Sequence, residues 1–311
     1  MQHTQPAPNQ HYAIQFHRYG GSDVLKLEEI PIPTIKEDEV LVKIKVAGVN
    51  PIDWKLREGM RSVPLPFIPG VEASGIIIRT GKNVSNWEVG QTVYGAIDHS
   101  YAQFATVKAD HLFKKPSHLS FEEAAAVGGG KTAWGALFDV AGLEKGQRLL
   151  IQGASGGVGI FAVQLARQAG AHVIASASAK NGAAPQRLGA HETIDYRSSD
   201  LETKIKEVDV VFDAVGGETL RKSYGLLKPG GVLVSIVEPP SPALAAEFGV
   251  KALWGGTKTL AAMTQIGRRL ADGTLQPLVS KVFRKLHNAA AAQDCSMAGD
   301  KPMGKIVVTV D

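Results

Sequence analysis

The segment that most constrains the fold runs from Leu149 to Lys180 and reads LLIQGASGGVGIFAVQLARQAGAHVIASASAK. Four glycines fall within seven residues, between an apolar run and a helical apolar pattern, and a second apolar run, AHVIAS, follows. Strand, tight turn, helix and strand predict a βαβ unit and hence a parallel sheet. Residues without a Cβ let such a turn approach a pyrophosphate, whose charge then meets free N–H groups at the helix N-terminus.

The turn reads GASGGVG, with the spacing G-x-x-G-x-x-G instead of the more common G-x-G-x-x-G. A tight turn without a ligand is the alternative, but the flanking strands and helix supply the context that a dinucleotide site requires. We therefore predict that the phosphates of the cofactor contact four residues of the turn, namely Ser155, Gly156, Gly157 and Val158.

No Asp or Glu occurs from Ile160 to His191, a stretch that includes the end of the second predicted strand. In a dinucleotide fold an acid at that place usually binds the ribose 2′-hydroxyl of NAD. Hydroxyl and ammonium groups stand there instead, and they would hold a 2′-phosphate that a carboxylate would repel. The alternative is that these side chains only decorate an exposed loop. We predict NADPH as the cofactor, with its 2′-phosphate bound by Ser176, Ser178, Lys180 and Tyr196.

The rest of the chain divides into two kinds of pattern. The first hundred residues show period-2 alternation, as in EVLVKIKVAGVN, and frequent Gly and Pro, which predicts a barrel-like domain of short strands. Strands and helices then alternate, and the final GKIVVTV resembles the first domain again. We predict an α/β chain with a discontinuous β-rich domain, residues 1–123 and 274–311, and a doubly wound parallel-sheet domain, residues 124–273.

Composition excludes several classes of protein. The net charge is only +4 and the basic residues are scattered, whereas nucleic-acid binders concentrate positive charge in a patch. The single cysteine, Cys295, allows no internal disulfide and no Cys-based zinc site, which suits a reducing compartment. The N-terminal MQHTQPAPNQH lacks the apolar segment of a signal peptide, and no apolar run reaches membrane-spanning length. We expect a cytoplasmic protein with neither a nucleic-acid nor a membrane partner.

In combination these motifs resemble the medium-chain dehydrogenase/reductase superfamily, in its zinc-independent quinone and enone reductase branch. The matching segments cover nearly the whole chain after the tail, and they are AGVNPIDWKLREG, PFIPGVEASG, GASGGVG, ASASAKN, LGAHETIDYR, FDAVGG and LKPGGVLVSI. The resemblance implies a GroES-like catalytic domain built from both chain ends, a Rossmann domain, a cofactor in the cleft between them and, most often, a homodimer. It also implies that Thr132 of GKTAW lies beside the nicotinamide and that Val237, which follows LKPGGVLVSI, contacts the cofactor.

Zinc-dependent members of that superfamily bind the metal through a Cys and a Gly-His-Glu motif. Here Asn50 occupies the Cys position, and the motif reads Gly70-Val71-Glu72. Both changes remove soft or imidazole ligands, so no metal is expected. Many quinone reductases of the branch also place a Tyr shortly after the Asn-Pro segment, where this chain has Trp54 and Lys55. This difference weakens the expectation of quinone specificity.

The resemblance implies an NADPH-dependent oxidoreductase that transfers hydride to a quinone or an α,β-unsaturated carbonyl without zinc. Asn50 is the candidate donor to the substrate oxyanion, and Tyr94 is a second catalytic candidate, whose alternative is a half-buried strand tyrosine. Asp53 is interpreted as structural, bonding a loop backbone, and the role of Lys131 stays open. Two other functions remain: an NADPH-dependent reductase of another activated double bond, such as an acyl thioester, and a non-catalytic NADPH-binding protein.

Overall fold

The computed structural model describes residues 9–178, 181, 183–197, 204–255, 260–298 and 303–311. Its contacts divide the chain into two compact units. The first unit ends at Ala126 and resumes at Val279, and the second begins at Val127 and runs to Leu278. Across the described segments, no helix has the length and apolar character needed to cross a membrane.

In the described residues the strands are β1 (Gln10–Gln15), β2 (Lys26–Pro31), β3 (Glu39–Gly48), β4 (Ala73–Thr80), β5 (Thr92–Gly95), β6 (Phe104–Lys108), β7 (Leu112–Lys114), β8 (Arg148–Gln152), β9 (His172–Ala177), β10 (Glu192–Asp195), β11 (Val208–Asp213), β12 (Leu227–Ser235), β13 (Lys251–Trp254), β14 (Val279–Phe283) and β15 (Lys305–Thr309). The α-helices there are α1 (Pro51–Arg57), α2 (Phe121–Ala124), α3 (Gly128–Trp134), α4 (Gly159–Gln168), α5 (Ala183–Arg187), α6 (Gly217–Ser223), α7 (Pro242–Glu247), α8 (Leu260–Ala271) and α9 (Ala289–Met297).

Strand β3 is the centre of the first unit. The sheet has the order β14-β15-β3-β4-β5-β7, with β6 also paired to β3, and β1 and β2 form a separate ribbon. Along β3 the side chains of Val40, Val42 and Ile44 are completely buried, as β-branched residues on the inner face of a sheet are expected to be. Strand β15, from the C-terminal end of the chain, lies antiparallel to β3. The prediction that the chain returns to its first domain is therefore confirmed.

The second unit contains a six-stranded parallel sheet with the order β10-β9-β8-β11-β12-β13. The chain moves outward from β8 on one side and outward from β11 on the other, which is the strand order of a doubly wound fold. Leu149, Leu150 and Ile151 of β8 are successive and all fully buried, as in sheets with both faces covered. The predicted parallel sheet is confirmed. Its reversal of strand order, where such folds bind ligands, falls between β8 and β11.

The segment after Ser120 forms two separate helices, α2 and α3. A capping box begins α2, because the Glu123 N–H donates to the Ser120 hydroxyl (3.1 Å) and the Ser120 N–H donates to the Glu123 carboxylate (2.8 Å). Helix α2 nevertheless ends at Ala124, and α3 begins four residues later at a glycine triplet. Ala125 and Ala126 pack with Val46 and Val307 of the first unit. This packing explains why the unit boundary follows Ala126, whereas the sequence placed it after residue 123.

Candidate cofactor and active sites

The glycine turn joins β8 to α4 at the carboxyl edge of the parallel sheet. Gly153 has a φ of +77°, a left-handed conformation that glycine adopts without strain. A Cβ on Gly159 would lie 2.2 Å from the Gly153 carbonyl oxygen, so only glycine lets α4 begin this close to the strand. Gly156 is exposed, and residues 155, 157 and 158 are partly exposed. The turn therefore presents accessible backbone ahead of a helix, as a phosphate site requires.

A second glycine segment packs on this turn. A Cβ on Gly129 of α3 would lie 2.1 Å from the carbonyl oxygen of Gly157, so the two backbones are in direct contact. Thr132 follows in the same helix and is partly exposed. The structure thus brings the helix that carries Thr132 against the turn that carries the predicted phosphate contacts. A Gly-Gly-Gly triplet inside a helical pattern is the sequence signal of such a contact, and the motif analysis missed it.

Four buried polar residues form a row at the carboxyl ends of adjacent strands, namely Ser176 of β9, Gln152 of β8, Asp213 of β11 and Ser235 of β12. Each is at most 1% exposed. Asp213 accepts hydrogen bonds from the N–H groups of Val215 (3.1 Å) and Gly216 (3.0 Å) and from the Ser235 hydroxyl (2.7 Å). These bonds fix the loop that follows β11. Of this row, the sequence had singled out Ser176 alone.

Gln152 of this row, and Val237, a predicted cofactor contact that bonds the row, mark where a ligand could lie. Neither the amide oxygen nor the amide nitrogen of Gln152 has a hydrogen-bond partner among the described residues. A buried polar group left in that state costs about 1–3 kcal/mol, so the position suits an additional polar partner such as a ligand or an ordered water. Val237 follows β12, and its N–H donates to the Ser235 hydroxyl at 3.3 Å.

The residues predicted to hold a 2′-phosphate differ in accessibility. Ser176 and Ser178 are 1% and 5% exposed, whereas Tyr196 is 43% exposed. The Arg197 guanidinium lies 5.4 Å from the centre of the Tyr196 ring. Lys180 lies outside the described residues. Tyr196 is thus the most accessible of the predicted contacts that the structure describes.

The carboxylate of Asp195 lies beside the end of β9, a strand whose own sequence contains no acid. Asp195 ends β10 and pairs in register with Ala177, the last residue of β9. Its Oδ1 accepts a hydrogen bond from the Arg197 N–H at 3.0 Å. The sequence of residues 160–191 does not reveal this neighbour, because Asp195 lies on the next strand and meets the end of β9 only through strand pairing.

In the first unit, the Asn50 side chain lies between two buried charges. Its amide nitrogen donates to Glu72 Oε1 at 2.9 Å, and its amide oxygen accepts from the Lys305 ammonium at 2.5 Å. Lys305 and Glu72 also form an ion pair, and each residue is 6% exposed. Asn50 itself is partly exposed. The structure therefore joins the predicted catalytic residue to Glu72, and it adds Lys305, which the sequence did not indicate.

Asp53 holds the backbone around this cluster. Its carboxylate accepts from the N–H of Asn50 (2.8 Å), the N–H of Gly70 (3.2 Å) and the hydroxyl of Tyr101 (3.1 Å). Burial raises the pKa of Asp53 to about 6, against the opposing effects of the Asn50 N–H, the Lys305 charge and the Tyr101 hydroxyl. The bond to Gly70 is the loop contact that the sequence analysis assigned to Asp53.

A zinc ion does not fit this cluster. At the positions where zinc-dependent relatives are expected to have ligands, this chain offers an amide, the aliphatic Val71 and a carboxylate. The amide oxygen and the carboxylate already bind the Lys305 ammonium. Within the described ranges, no group of three or more His, Cys, Asp or Glu side chains is arranged to hold a metal ion.

Tyr94 and Lys131 are the two remaining side chains that the sequence raised as candidates. Tyr94 is 1% exposed in β5, its ring packs against Phe113 at 5.8 Å, and burial raises the pKa of its hydroxyl. This placement favours the core tyrosine that the sequence offered as the alternative, so its catalytic role stays a prediction. Lys131 is partly exposed on α3.

Two known families match the chain. Residues 36–117 match the alcohol dehydrogenase GroES-like domain, and residues 188–308 match the family described as zinc-binding dehydrogenase. The quinone oxidoreductase of Sus scrofa is 32% identical over 324 residues, which cover 95% of this chain and 97% of that protein. The 2-methylene-furan-3-one reductase of Solanum lycopersicum is 37% identical over 254 residues, covering 75% of this chain and 64% of that protein. The structure of the quinone oxidoreductase from Coxiella burnetii has a TM-score of 0.89 at 32% identity, covering 97% of this chain and all of that one.

The family resemblance stated from the motifs is thereby confirmed. The GroES-like match falls in the β-rich unit, and the near-complete coverage of the relatives includes the parallel-sheet unit. The chain belongs to the medium-chain dehydrogenase/reductase superfamily, in the branch that contains quinone oxidoreductases and enone reductases.

Proposed function

We propose that this chain is an NADPH-dependent reductase that transfers hydride to a quinone or an α,β-unsaturated carbonyl without a metal ion. The observation that carries the proposal is the set of hydrogen bonds that hold the Asn50 side chain. Its partly exposed amide is held by Lys305 and Glu72 at the place where zinc-dependent relatives are expected to bind metal. The site thus offers a neutral hydrogen-bond donor, held between Lys305 and Glu72, in place of a Lewis acid.

The second unit contains the residues that would bind NADPH. The glycine turn at residues 153–159 would bind the pyrophosphate, and Thr132 and Val237 would contact the nicotinamide end. The amide of Gln152 lies where strand order reverses and has no hydrogen-bond partner among the described residues, so it fits a polar ligand at this edge. When bound, the nicotinamide supplies the hydride, and the protein supplies orientation and electrostatics.

Asn50 would act on the charge that develops in the substrate. Addition of hydride to the β-carbon of an enone moves negative charge onto the carbonyl oxygen, and reduction of a quinone does the same. The Asn50 amide nitrogen carries two hydrogens, of which one donates to Glu72. The second donates to none of the described residues and can therefore donate to the substrate oxygen. A pre-oriented donor of this kind accelerates reactions by about a hundredfold to a thousandfold.

The proposal of NADPH over NADH depends on the residues around the end of β9. Ser178 and Lys180 follow this strand in the sequence, and the exposed Tyr196 follows the neighbouring strand. Asp195 is the residue that argues the other way, because its carboxylate lies on the neighbouring strand beside Ala177. Titration of both cofactors by protein fluorescence tests the preference, and equal dissociation constants would contradict it.

The same proposal includes a homodimer in the cytoplasm. In the part of the chain that the structure describes, β13 pairs with β12 alone, which leaves an edge of the parallel sheet open. Trp254 on this strand is 49% exposed, and Phe248 just before it is 43% exposed. An open edge with exposed aromatic residues favours association with a second copy. Light scattering should give the mass of a dimer, and Trp254→Lys should shift it toward the monomer.

A substrate panel tests the reaction itself. Loss of NADPH absorbance is followed with a para-quinone, a short enone and a 2-enoyl thioester, each with and without a chelator. Turnover of the quinone or the enone that is insensitive to chelation supports the proposal. Turnover of the thioester alone supports the alternative of a reductase of acyl thioesters. NADPH binding without any turnover supports the non-catalytic alternative.

A further inference from the structure

Three segments that are far apart in sequence build the cluster around Asn50. Asn50 precedes α1, Glu72 precedes β4 and Lys305 begins β15. Lys305 and Glu72 are both almost completely buried, and they pair with each other and with the Asn50 amide. A buried ion pair often contributes little net stability, because removing both charges from water costs about as much as their attraction returns. Stability alone is therefore a weak reason for this pair.

The chemistry of the three groups determines which way the amide faces. A lysine ammonium can only donate hydrogen bonds, and a carboxylate can only accept them. Asn50 must therefore turn its oxygen toward Lys305 and its nitrogen toward Glu72, as observed. The flipped amide would place its nitrogen beside the ammonium and its oxygen beside the carboxylate, so both hydrogen bonds would be lost.

Glu72 is held in place by contacts of its own, so its carboxylate can orient the Asn50 amide. Its carbonyl oxygen accepts from the Gly48 N–H at 3.0 Å and from the Ser100 hydroxyl at 3.2 Å. A Cβ on Gly48 would lie 2.4 Å from Glu72 Oε1, so the carboxylate lies directly against the backbone of β3.

We propose that Lys305 is a positioning residue, whose ammonium together with Glu72 fixes the Asn50 amide so that its second N–H faces the substrate oxygen. This role rests on the proposed reductase function and names the residue that makes Asn50 effective. Lys305 acts through Asn50 and does not touch the reacting atoms. Its benefit comes from orientation, because the pair it forms with Glu72 carries no net charge.

The first test uses the Lys305→Met/Glu72→Gln variant, which removes both charges and leaves neither buried ion unpaired. A glutamine can donate to or accept from Asn50, so the amide is no longer fixed in one orientation. We expect kcat to fall by about tenfold or more, up to the loss seen in Asn50→Ala, with the dissociation constant of NADPH unchanged. In the Asn50→Ala background the same pair of substitutions should cause no further loss, because the residues act as one unit. The proposal would be overturned if the double variant kept the wild-type kcat. It would also be overturned if the double variant lowered kcat further in the Asn50→Ala background.

The second test does not depend on turnover. In cofactor-free protein labelled with ¹⁵N, the Asn50 side-chain amide should show one hydrogen that is protected from exchange by Glu72 and one that is not. The double variant should lose this asymmetry. Absence of the asymmetry in the wild type, or its persistence in the variant, would show that Lys305 does not orient the amide. If no substrate is reduced, the function proposed above fails while this measurement still decides the role of Lys305.

Discussion

Asp53 should make the stability of the protein depend on pH in an unusual direction. Burial raises its pKa from 3.8 to about 6, so the folded state binds the proton more tightly than the unfolded chain does. The stabilisation from this proton is complete below the unfolded pKa and is lost as the pH rises through about 6. The shift of about two pKa units corresponds to about 3 kcal/mol, at about 1.4 kcal/mol per unit.

The assay compares wild type with Asp53→Asn by urea unfolding at several values between about pH 4 and about pH 7.5. Relative to wild type, the variant should gain about 2 kcal/mol across this range, because the carboxyl of the unfolded chain is already partly ionised at about pH 4. Tyr101→Phe should move the pKa of Asp53 still higher, because it removes a hydrogen bond that favours the carboxylate.

Asp209 provides a control of opposite sign. Burial alone would raise its pKa, but hydrogen bonds from Lys228 and from the Arg148 N–H hold the pKa below its ordinary value. Its contribution to stability is therefore present at neutral pH and lost as the pH falls. Relative to wild type, Asp209→Asn should lose stability as the pH rises. A pH-independent difference for Asp53→Asn, or the same slope for both variants, would refute the argument from burial.

Three further predictions concern the cofactor and the reaction. Gly159→Ala should disrupt the turn and lower the midpoint of thermal unfolding, because its Cβ would lie 2.2 Å from the Gly153 carbonyl oxygen. A Cβ on Gly156 would lie 3.4 Å from the same oxygen, so Gly156→Ala should fold normally and lose only cofactor affinity in a fluorescence titration. Asn50→Ala should lower kcat and kcat/KM together by roughly tenfold to a thousandfold in steady-state kinetics, with NADPH affinity nearly unchanged; wild-type kinetics would make Asn50 merely structural. Lys180→Ala should weaken the binding of NADPH by roughly tenfold to a hundredfold but leave the binding of NADH almost unaffected. Asp195→Asn should strengthen the binding of NADPH. Equal effects on the binding of both cofactors would contradict the assignment of the 2′-phosphate site.

The features that the sequence predicts correctly are those encoded within a few residues. The glycine turn, the apolar run of β8 and the helix after it are adjacent in the chain, so a local pattern is enough to identify the parallel sheet. The alternation in GKIVVTV likewise indicates that the last strand belongs to the β-rich unit. Helices α1, α5, α7 and α9 and strand β13 carry weaker local patterns and were not predicted.

The features that the sequence does not predict depend on register and on distant contacts. Lys305 meets Asn50 across 255 residues, and nothing near either residue indicates the pairing. Asp195 reaches the end of β9 only because β10 pairs with it in one particular register. The contact between Gly129 and Gly157 requires the packing of α3 on the turn. Such contacts become visible only when the strands and helices are in place.

Transfer of an isotope from NADPH to the substrate is the most direct test of metal-free hydride transfer to an activated double bond. The protein is freed of metal with a chelator and incubated with an enone and NADPH carrying deuterium at the transferred position of nicotinamide C4. We expect full turnover, with deuterium at the β-carbon of the product and no stoichiometric zinc in the active protein. Loss of activity on chelation that zinc restores, or a product without deuterium, would contradict it.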